Sequence, residues 1–208
     1  MKIICKLVIQ AYLALHLILD KILTFCYKKQ MTSCGHHVTF KPSTSNIKGI
    51  ENMSFGNYVR IHKYATIFSS DAKLIIGNKV ALGPKVTIMT GNHATDTIGT
   101  FMWDVHDKKD GLDKDVIIED EIWVGSNVTI LSGAHISRGC VIAAGAIVNK
   151  YIPPYSIVGG VPAKVLKYRF TPEQIIEHEK ALYIPEKRLT LEQIIHSREI
   201  VKNSVLTL

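Results

Sequence analysis

The sequence predicts a mainly β protein: a parallel β-helix wound from six-residue repeats, with a helix before it, a long loop extruded from it and short helices after it. Three observations predict this. Aliphatic residues recur at every sixth position over much of the chain. A run of apolar residues opens it. Two threonine-led capping signals stand near its end. The expected division is a helix over residues 1–30, the β-helix over 31–166 with a loop at 94–116, and a helical tail over 167–208.

The opening stretch, "MKIICKLVIQAYLALHLILDKILTFCYKK", reads as a helix of roughly 25 residues. It has no small-residue cleavage site of the secretory kind. Lys6, Gln10, His16 and Asp20 cut its apolar runs to lengths short of a transmembrane span. Two readings remain open. The helix packs on the main domain or a neighbouring subunit, or it attaches peripherally to a membrane, with Lys2, Lys6, Lys21, Lys28 and Lys29 near headgroups.

The repeat begins at Phe55, Ile61 and Ile67, slips, and resumes at Ile76, Leu82 and Ile88. A second series runs Ile118, Val124, Ile130, Ile136, Ile142, Val148. Four residues after most of these stands another small or apolar residue, as at Val80, Val128, Ala134 and Cys140. A period of six is neither helical nor a plain alternation. It signals short strands joined by regular turns, coil upon coil, each covering the next one's apolar face and strand edges. Three hexads close a triangular coil, so residues 18 apart, such as Ser126 and Ala144, stack. Glycine following the aliphatic position, at Gly77, Gly83 and Gly125, is expected to ease the backbone round the corners.

Between the two series "GNH" leads into a loop with no repeat, and loops of this length are usually functional or disordered. The tail carries Thr171-Pro172-Glu173-Gln174, with an N-cap, a first-turn proline and an N3 glutamine, and Thr190 to Gln193 repeats the cap. Two short helices should therefore finish the chain and close the open end of the solenoid.

The composition, 47% hydrophobic and 21% charged over 208 residues, is that of a folded protein. A formal charge of +7 favours a phosphate-bearing partner or an anionic membrane surface. It gives no support for nucleic acid, because lysine and arginine are dispersed and no nucleic-acid-binding signature occurs. Cys5, Cys26, Cys34 and Cys140 form no C-x-x-C pair, so a reducing cytoplasm is the simplest compartment. Peripheral placement at the inner membrane face is the variant that the opening helix allows.

The segments "IIGNKVALGPKVTIMTGNH", "VIIEDEIWVGSNVTILSGAHISRGCVIAAGAIVNKYIPPYSIVGGVPAKVLK" and "YRFTPEQIIEHEKALY" resemble the left-handed hexapeptide-repeat acyltransferases. They are most similar to the branch with maltose, galactoside and capsular-polysaccharide O-acetyltransferases and the xenobiotic acetyltransferases. The resemblance covers roughly residues 47 to 183. It implies a left-handed coil, which the period does not give, since parallel crossovers normally favour the right hand. It also implies acetyl-CoA as co-substrate without a metal, a sugar or glycan acceptor, and a homotrimer with active sites between subunits. The loop 94–116 and the opening helix depart from the family's usual pattern, and Glu119 and Ser137 replace its glycine.

By that resemblance His93 is the catalytic base. Histidine suits the work, since transfer of an acetyl group from a thioester to a hydroxyl removes one proton near neutral pH. Trp123, expected to project from a coil corner, would line the acyl-CoA or acceptor tunnel. Ser126 and Ala144 would offer backbone groups to the two amides of pantetheine. Lys150, and with it Lys164 and Lys167, would face the CoA phosphates, and Gly160 would permit close approach. Asp71 and Asn92 are the acceptor-binding candidates, Asp71 through charge-assisted hydrogen bonds to sugar hydroxyls. Several also have a plain reading: His93 and the lysines as solvated side chains, Asp71 as a turn residue, and Trp123 as a surface anchor that packs a neighbouring subunit. Cys140 reads as a small buried apolar residue and His135 as a coil-edge residue.

The expected activity is O-acetylation of a sugar hydroxyl, in surface or capsular polysaccharide biosynthesis. N-acetylation of an amino sugar, or acetylation of a xenobiotic, is the alternative on the same fold. A zinc hydratase would need converging histidines with a close H-x4-H pair, which is missing. A scaffold without catalysis would not need His93 or the CoA-type tail.

Overall fold

A computed structural model describes residues 1–106 and 110–204. The loop expected at 94–116 and the tail expected at 167–208 therefore fall partly outside the described residues.

The body is a three-sided solenoid. The chain visits three parallel sheets in fixed cyclic order. The first sheet contains Met53–Phe55, Leu74–Ile76, Val116–Ile118 and His135–Ile136. The second contains Arg60–Ile61, Ala81–Leu82, Trp123–Val124 and Val141–Ile142. The third contains Asn46–Lys48, Thr66–Phe68, Thr87–Met89 and Thr129–Ile130. Strand alternation turns one residue of each pair inward. The hexad aliphatics are those residues: Ile67, Leu82, Ile88, Ile118, Val124, Ile130, Ile136 and Val148 are all fully buried, and Val128, Ala134 and Cys140 join them.

The slip in the repeat has a structural cause. Four residues separate the first from the second sheet, and the second from the third, at nearly every coil. Length varies where the third sheet hands on to the first. There the connections are residues 49–52, 69–73, 90–115, 131–134 and 149–150, of unequal length. Ser54 consequently stacks on Ile75, 21 residues later, whereas Trp123 stacks on Val141, 18 later.

The glycines after the aliphatic position do a different job from the one expected. Gly77, Gly83 and Gly125 do not have positive φ, and a Cβ on Gly125 would stand 2.6 Å from Ala144 N in the next coil. They allow backbones of adjacent coils to touch. The left-handed corner conformation is taken mostly by residues with side chains, among them Tyr58, Lys79, Lys85, Glu121 and Asn127. At the first-to-second corner a ladder of side chains supports them. Asn57 Oδ1 accepts from His36 N, Asn78 Oδ1 from Asn57 N, and Asp120 Oδ1 from Asn78 N, at 2.6 to 3.0 Å.

Helix α1, Lys2–Gln30, contains no glycine or proline. It is long and apolar enough to cross a membrane. The residues that interrupt its apolar runs, Lys6, Gln10, His16 and Asp20, fall on one side of the helix, so they shorten the runs without removing the apolar surface. Its second half rests on the solenoid. His16 Nδ1 meets Ser43 Oγ at 3.2 Å, buried Asp20 accepts from Ser43 N at 3.1 Å, and Thr24 Oγ1 donates to the Phe40 carbonyl at 3.4 Å. Packing on the main domain thus describes only half of α1.

Helices α2, Pro172–Leu182, and α3, Leu191–Ser204, follow the last coil, and both start at the caps read from sequence. Thr171 Oγ1 accepts from Gln174 N at 3.3 Å and Gln174 Oε1 from Thr171 N at 2.9 Å. Thr190 and Gln193 repeat the exchange at 3.2 and 2.8 Å. Ile175 and Ile194 bury against Tyr155 of the final coil. Buried Glu179 accepts from the Tyr155 hydroxyl at 3.1 Å and lies 3.7 Å from Arg138. Burial, with the Glu179 carboxylate beside it, pushes the Tyr155 hydroxyl well above its ordinary range.

Gly125→Ala should lower stability by about 1–3 kcal/mol, the usual cost of overpacking. A fall in thermal midpoint relative to wild type checks this, and an unchanged midpoint would contradict the coil-on-coil contact.

Candidate functional site

The third-to-first edge gathers three of the sequence candidates. The strand Thr87–Met89 ends there, and buried Thr90 donates its hydroxyl to the Ala72 carbonyl at 3.1 Å. Asn92 N then donates to Asp113 Oδ1 at 2.7 Å, and Lys114 N to the Thr90 carbonyl at 3.2 Å. These two bonds pin both ends of the inserted loop. Asn92 Oδ1 accepts from His93 N at 2.9 Å, so its side-chain oxygen shapes the turn that presents His93. The His93 ring is exposed and the next residue, Ala94, is buried. Asp71 belongs to the same edge: a Cβ on Gly91 would meet Asp71 Oδ2 at 2.5 Å. Asp71, Asn92 and His93 therefore share one corner of the prism. Past them the loop exposes Ile98, Phe101, Met102 and Trp103, each more than 60% accessible.

The remaining candidates lie elsewhere. Trp123 does not stand on a corner. It opens a strand of the second sheet and points out of the flat face, 63% exposed, because it is the outward partner of inward Val124. Ser126 and Ala144 stack at the second-to-third edge, both exposed, and the Ser126 carbonyl accepts from Gly145 N at 3.0 Å. Gly160 follows on that edge with φ +94°, so the positive φ is what calls for glycine there. The width of one sheet separates this edge from that of His93. A single copy does not put His93 and Trp123 into one cleft.

Lys150 and Lys164 are brought together. They line a cavity of about 650 Å³ with Tyr151, Tyr168, Arg198 and Lys202, where α3 leans on the last coils. Lys164 opens an antiparallel strand, Lys164–Tyr168, that pairs with Ser156–Gly159. Arg198 lies 3.8 Å from the Tyr168 ring centre and donates to the Phe170 carbonyl at 2.9 Å. The sequence reading missed Arg198 and Lys202, because nothing in the α3 sequence reports which coil it packs against. With Lys150, Lys164, Arg198 and Lys202 outnumbering the one acid, Glu199, round an apolar lining, the cavity fits an organic ligand that carries an anionic group.

Two further groups have defined roles. Cys140 is buried, its thiol donating to the Pro153 carbonyl at 3.1 Å, and burial pushes it up to about 11. His135 is not a coil-edge residue: it lies within a strand of the first sheet, Nε2 at 2.7 Å from Glu119 Oε1. Burial alone would raise the Glu119 carboxyl, but its bonds with His135 and Arg138 N outweigh that and hold it below the usual range. Among the described residues no three His, Cys, Asp or Glu side chains converge as a metal ligand set would.

No family model matches the chain. The galactoside O-acetyltransferase of Lactococcus lactis is 28% identical over 168 residues, covering 81% of this chain and 75% of that protein. A probable macrolide acetyltransferase of Lysinibacillus sphaericus is 38% identical over 117 residues, 50% of this chain. This chain spans 64% of that relative's length, a little under two thirds. Among solved structures, a hexapeptide-repeat acetyltransferase of Vibrio cholerae complexed with acetyl coenzyme A superposes with a TM-score of 0.65. It is 26% identical and covers 74% of this chain and 80% of its own. The relatives of this chain are hexapeptide-repeat acetyltransferases. The inward aliphatics of this chain are the repeat itself, which explains why the core was readable residue by residue.

A thiol reagent at pH 8 should label exposed Cys5 and Cys26 of the native protein quickly and leave Cys140 unlabelled until the protein unfolds. Mass mapping of the labelled peptides checks this, and early labelling of Cys140 would contradict it.

Proposed function

We propose that the chain is an acetyl-CoA-dependent O-acetyltransferase for a sugar hydroxyl, cytoplasmic and at work on a surface or capsular glycan. The observation that carries this reading is the corner that holds both the pinned turn of His93 and, against Gly91, Asp71. The named activity of the galactoside relative supports the sugar. The coil takes the left hand of the family it resembles.

The reaction follows from ordinary acyl-transfer chemistry. The His93 imidazole takes the proton from the acceptor hydroxyl as that oxygen attacks the thioester carbonyl. The carbon–sulfur bond breaks, and the imidazolium returns the proton to the departing CoA thiolate. The products are an acetyl ester and free CoA, with no covalent enzyme intermediate. Asp71 accepts hydrogen bonds from acceptor hydroxyls, and Asn92 keeps the turn that aims His93. Trp123, Ser126, Ala144 and Gly160 line the path of the donor. Lys150 and Lys164, joined by Arg198 and Lys202, face its phosphates.

The separation of the two half-sites on one copy supports a homotrimer. Wound side by side, three prisms would set the His93 edge of one copy against the Trp123 face or the Ser126 edge of the next. A second reading, acetylation of a xenobiotic, is favoured by the identity to the macrolide relative. It keeps the same base and changes only the acceptor.

Released thiol, measured over sugar, amino-sugar and macrolide acceptors, tests the reading. His93→Ala should lower turnover by about 10²–10⁴-fold while leaving acetyl-CoA binding intact. Turnover that survives the substitution would overturn the mechanism, and turnover on macrolides alone would favour the second reading. Mixed assemblies of two inactive chains, His93→Ala and the donor-blocking Ser126→Trp, should regain activity that neither has alone. Failure to do so would count against sites shared between copies.

A further inference from the structure

Helix α1 has two faces with different surroundings. His16, Asp20, Leu23, Thr24 and Tyr27 form the stripe turned to the solenoid and are wholly or partly buried. At 100° per residue, Ile4, Val8, Leu15, Ile18, Ile22 and Phe25 lie on the opposite side. Each of them is 55–66% exposed. Apolar side chains spread beyond this stripe, with Leu7, Tyr12 and Leu17 at 56–59%. Asp20 is the helix's sole acidic residue, and it is buried beside Lys41 Nζ at 3.5 Å. Lys2, Lys6, Lys21 and Lys29 are exposed.

We infer that this outward face of α1 docks the protein onto an anionic lipid bilayer, with α1 lying in the plane of one leaflet between membrane and solenoid. Charge selects this occupant. Four exposed lysines without an exposed acid on the same helix complement anionic headgroups, and they would repel one another across a parallel bundle of copies. The width of the apolar surface agrees, because a helix-to-helix seam would cover only a narrow stripe and leave Tyr12 and Leu17 in water. Length decides between lying and spanning. Docking on the solenoid begins at His16, which leaves residues 2–15 free. That segment is about 21 Å long. It falls short of the roughly 30 Å hydrocarbon core. So long as Asp20 and Thr24 hold the solenoid, α1 inserts its apolar side chains and does not cross. The inference is independent of the proposed reaction, since it uses neither His93 nor the acyl donor.

The test is flotation of the full chain with vesicles of phosphatidylcholine plus phosphatidylglycerol, against phosphatidylcholine alone, with light scattering for mass. Wild type should float with the anionic vesicles and be released by salt. Val8→Glu/Leu15→Glu/Ile22→Glu should stay at the bottom with unchanged mass and thermal midpoint. Lys2→Gln/Lys6→Gln/Lys21→Gln, which leaves the apolar face intact, should bind the anionic vesicles on the order of a hundredfold more weakly. Absence of flotation in wild type would overturn the inference. So would a drop in assembly mass in the glutamate variant, which would make this face an interface between copies. Resistance to alkaline carbonate extraction from cell membranes would overturn the in-plane arrangement in favour of a span.

Discussion

Everything in the solenoid depends on how closely one coil can approach the next. Gly83 and Gly125 let the backbones touch, and a side chain there would collide with the backbone one coil on. At that separation every strand finds its hydrogen-bond partner in a neighbouring coil, and the inward aliphatics stack into one continuous core. The corners then adapt to the core. Lys85 and Asn127 accept a left-handed backbone, which costs roughly 1–2 kcal/mol per residue for an L-amino acid, because the stack on either side fixes their geometry. At the first-to-second corners, where Tyr58, Lys79 and Glu121 do the same, the ladder from His36 through Asn57 and Asn78 to Asp120 helps to hold the turn.

The two halves of the proposed site are built by different logic. The half at His93 is made by interruption, where an insertion replaces a coil's short turn and its root is tied by Asp113 and Thr90. The half at Ser126 and Ala144 is made by regularity, since an extended ligand needs an uninterrupted edge with backbone groups at constant spacing. One edge of a prism cannot be both. On the proposed reading, the separation of these features onto different edges is a reason, and not only a sign, for a complete site to draw on more than one copy.

Much of this was legible because the chemistry repeats. Ile118, Val124 and Ile130 announce strands, inward direction and coil size together, and Thr171 with Gln174 announces a helix start, since such signals are local. The role of Gly125 was misread because glycine serves either a positive φ or a close approach, and only the neighbouring coil distinguishes them. Trp123 was misplaced for a similar reason: the hexad gives phase along the chain but not which residues make the bend. Arg198, Lys202 and the Glu179 pairing stayed hidden because they depend on how α2 and α3 lie across the last coil. The apolar surface of α1 was underestimated because runs were counted along the chain, whereas surface is distributed around a helix.

The confinement of length changes to one edge has a consequence for how such a protein can diversify. Residues 69–73 and 90–115 lengthen the third-to-first edge, while the other two edges keep four-residue connections in every coil before the last. Loop length adds only slowly to the cost of closure. The third-to-first edge is thus a socket: its contents can be exchanged between His93 and Asp113, beyond the pinned turn, without altering the pitch of the stack. On the proposed reading, a new acceptor could be recruited there by splicing, with the donor edge left as it was, so that substrate choice and cofactor choice become separately heritable parts of one thread.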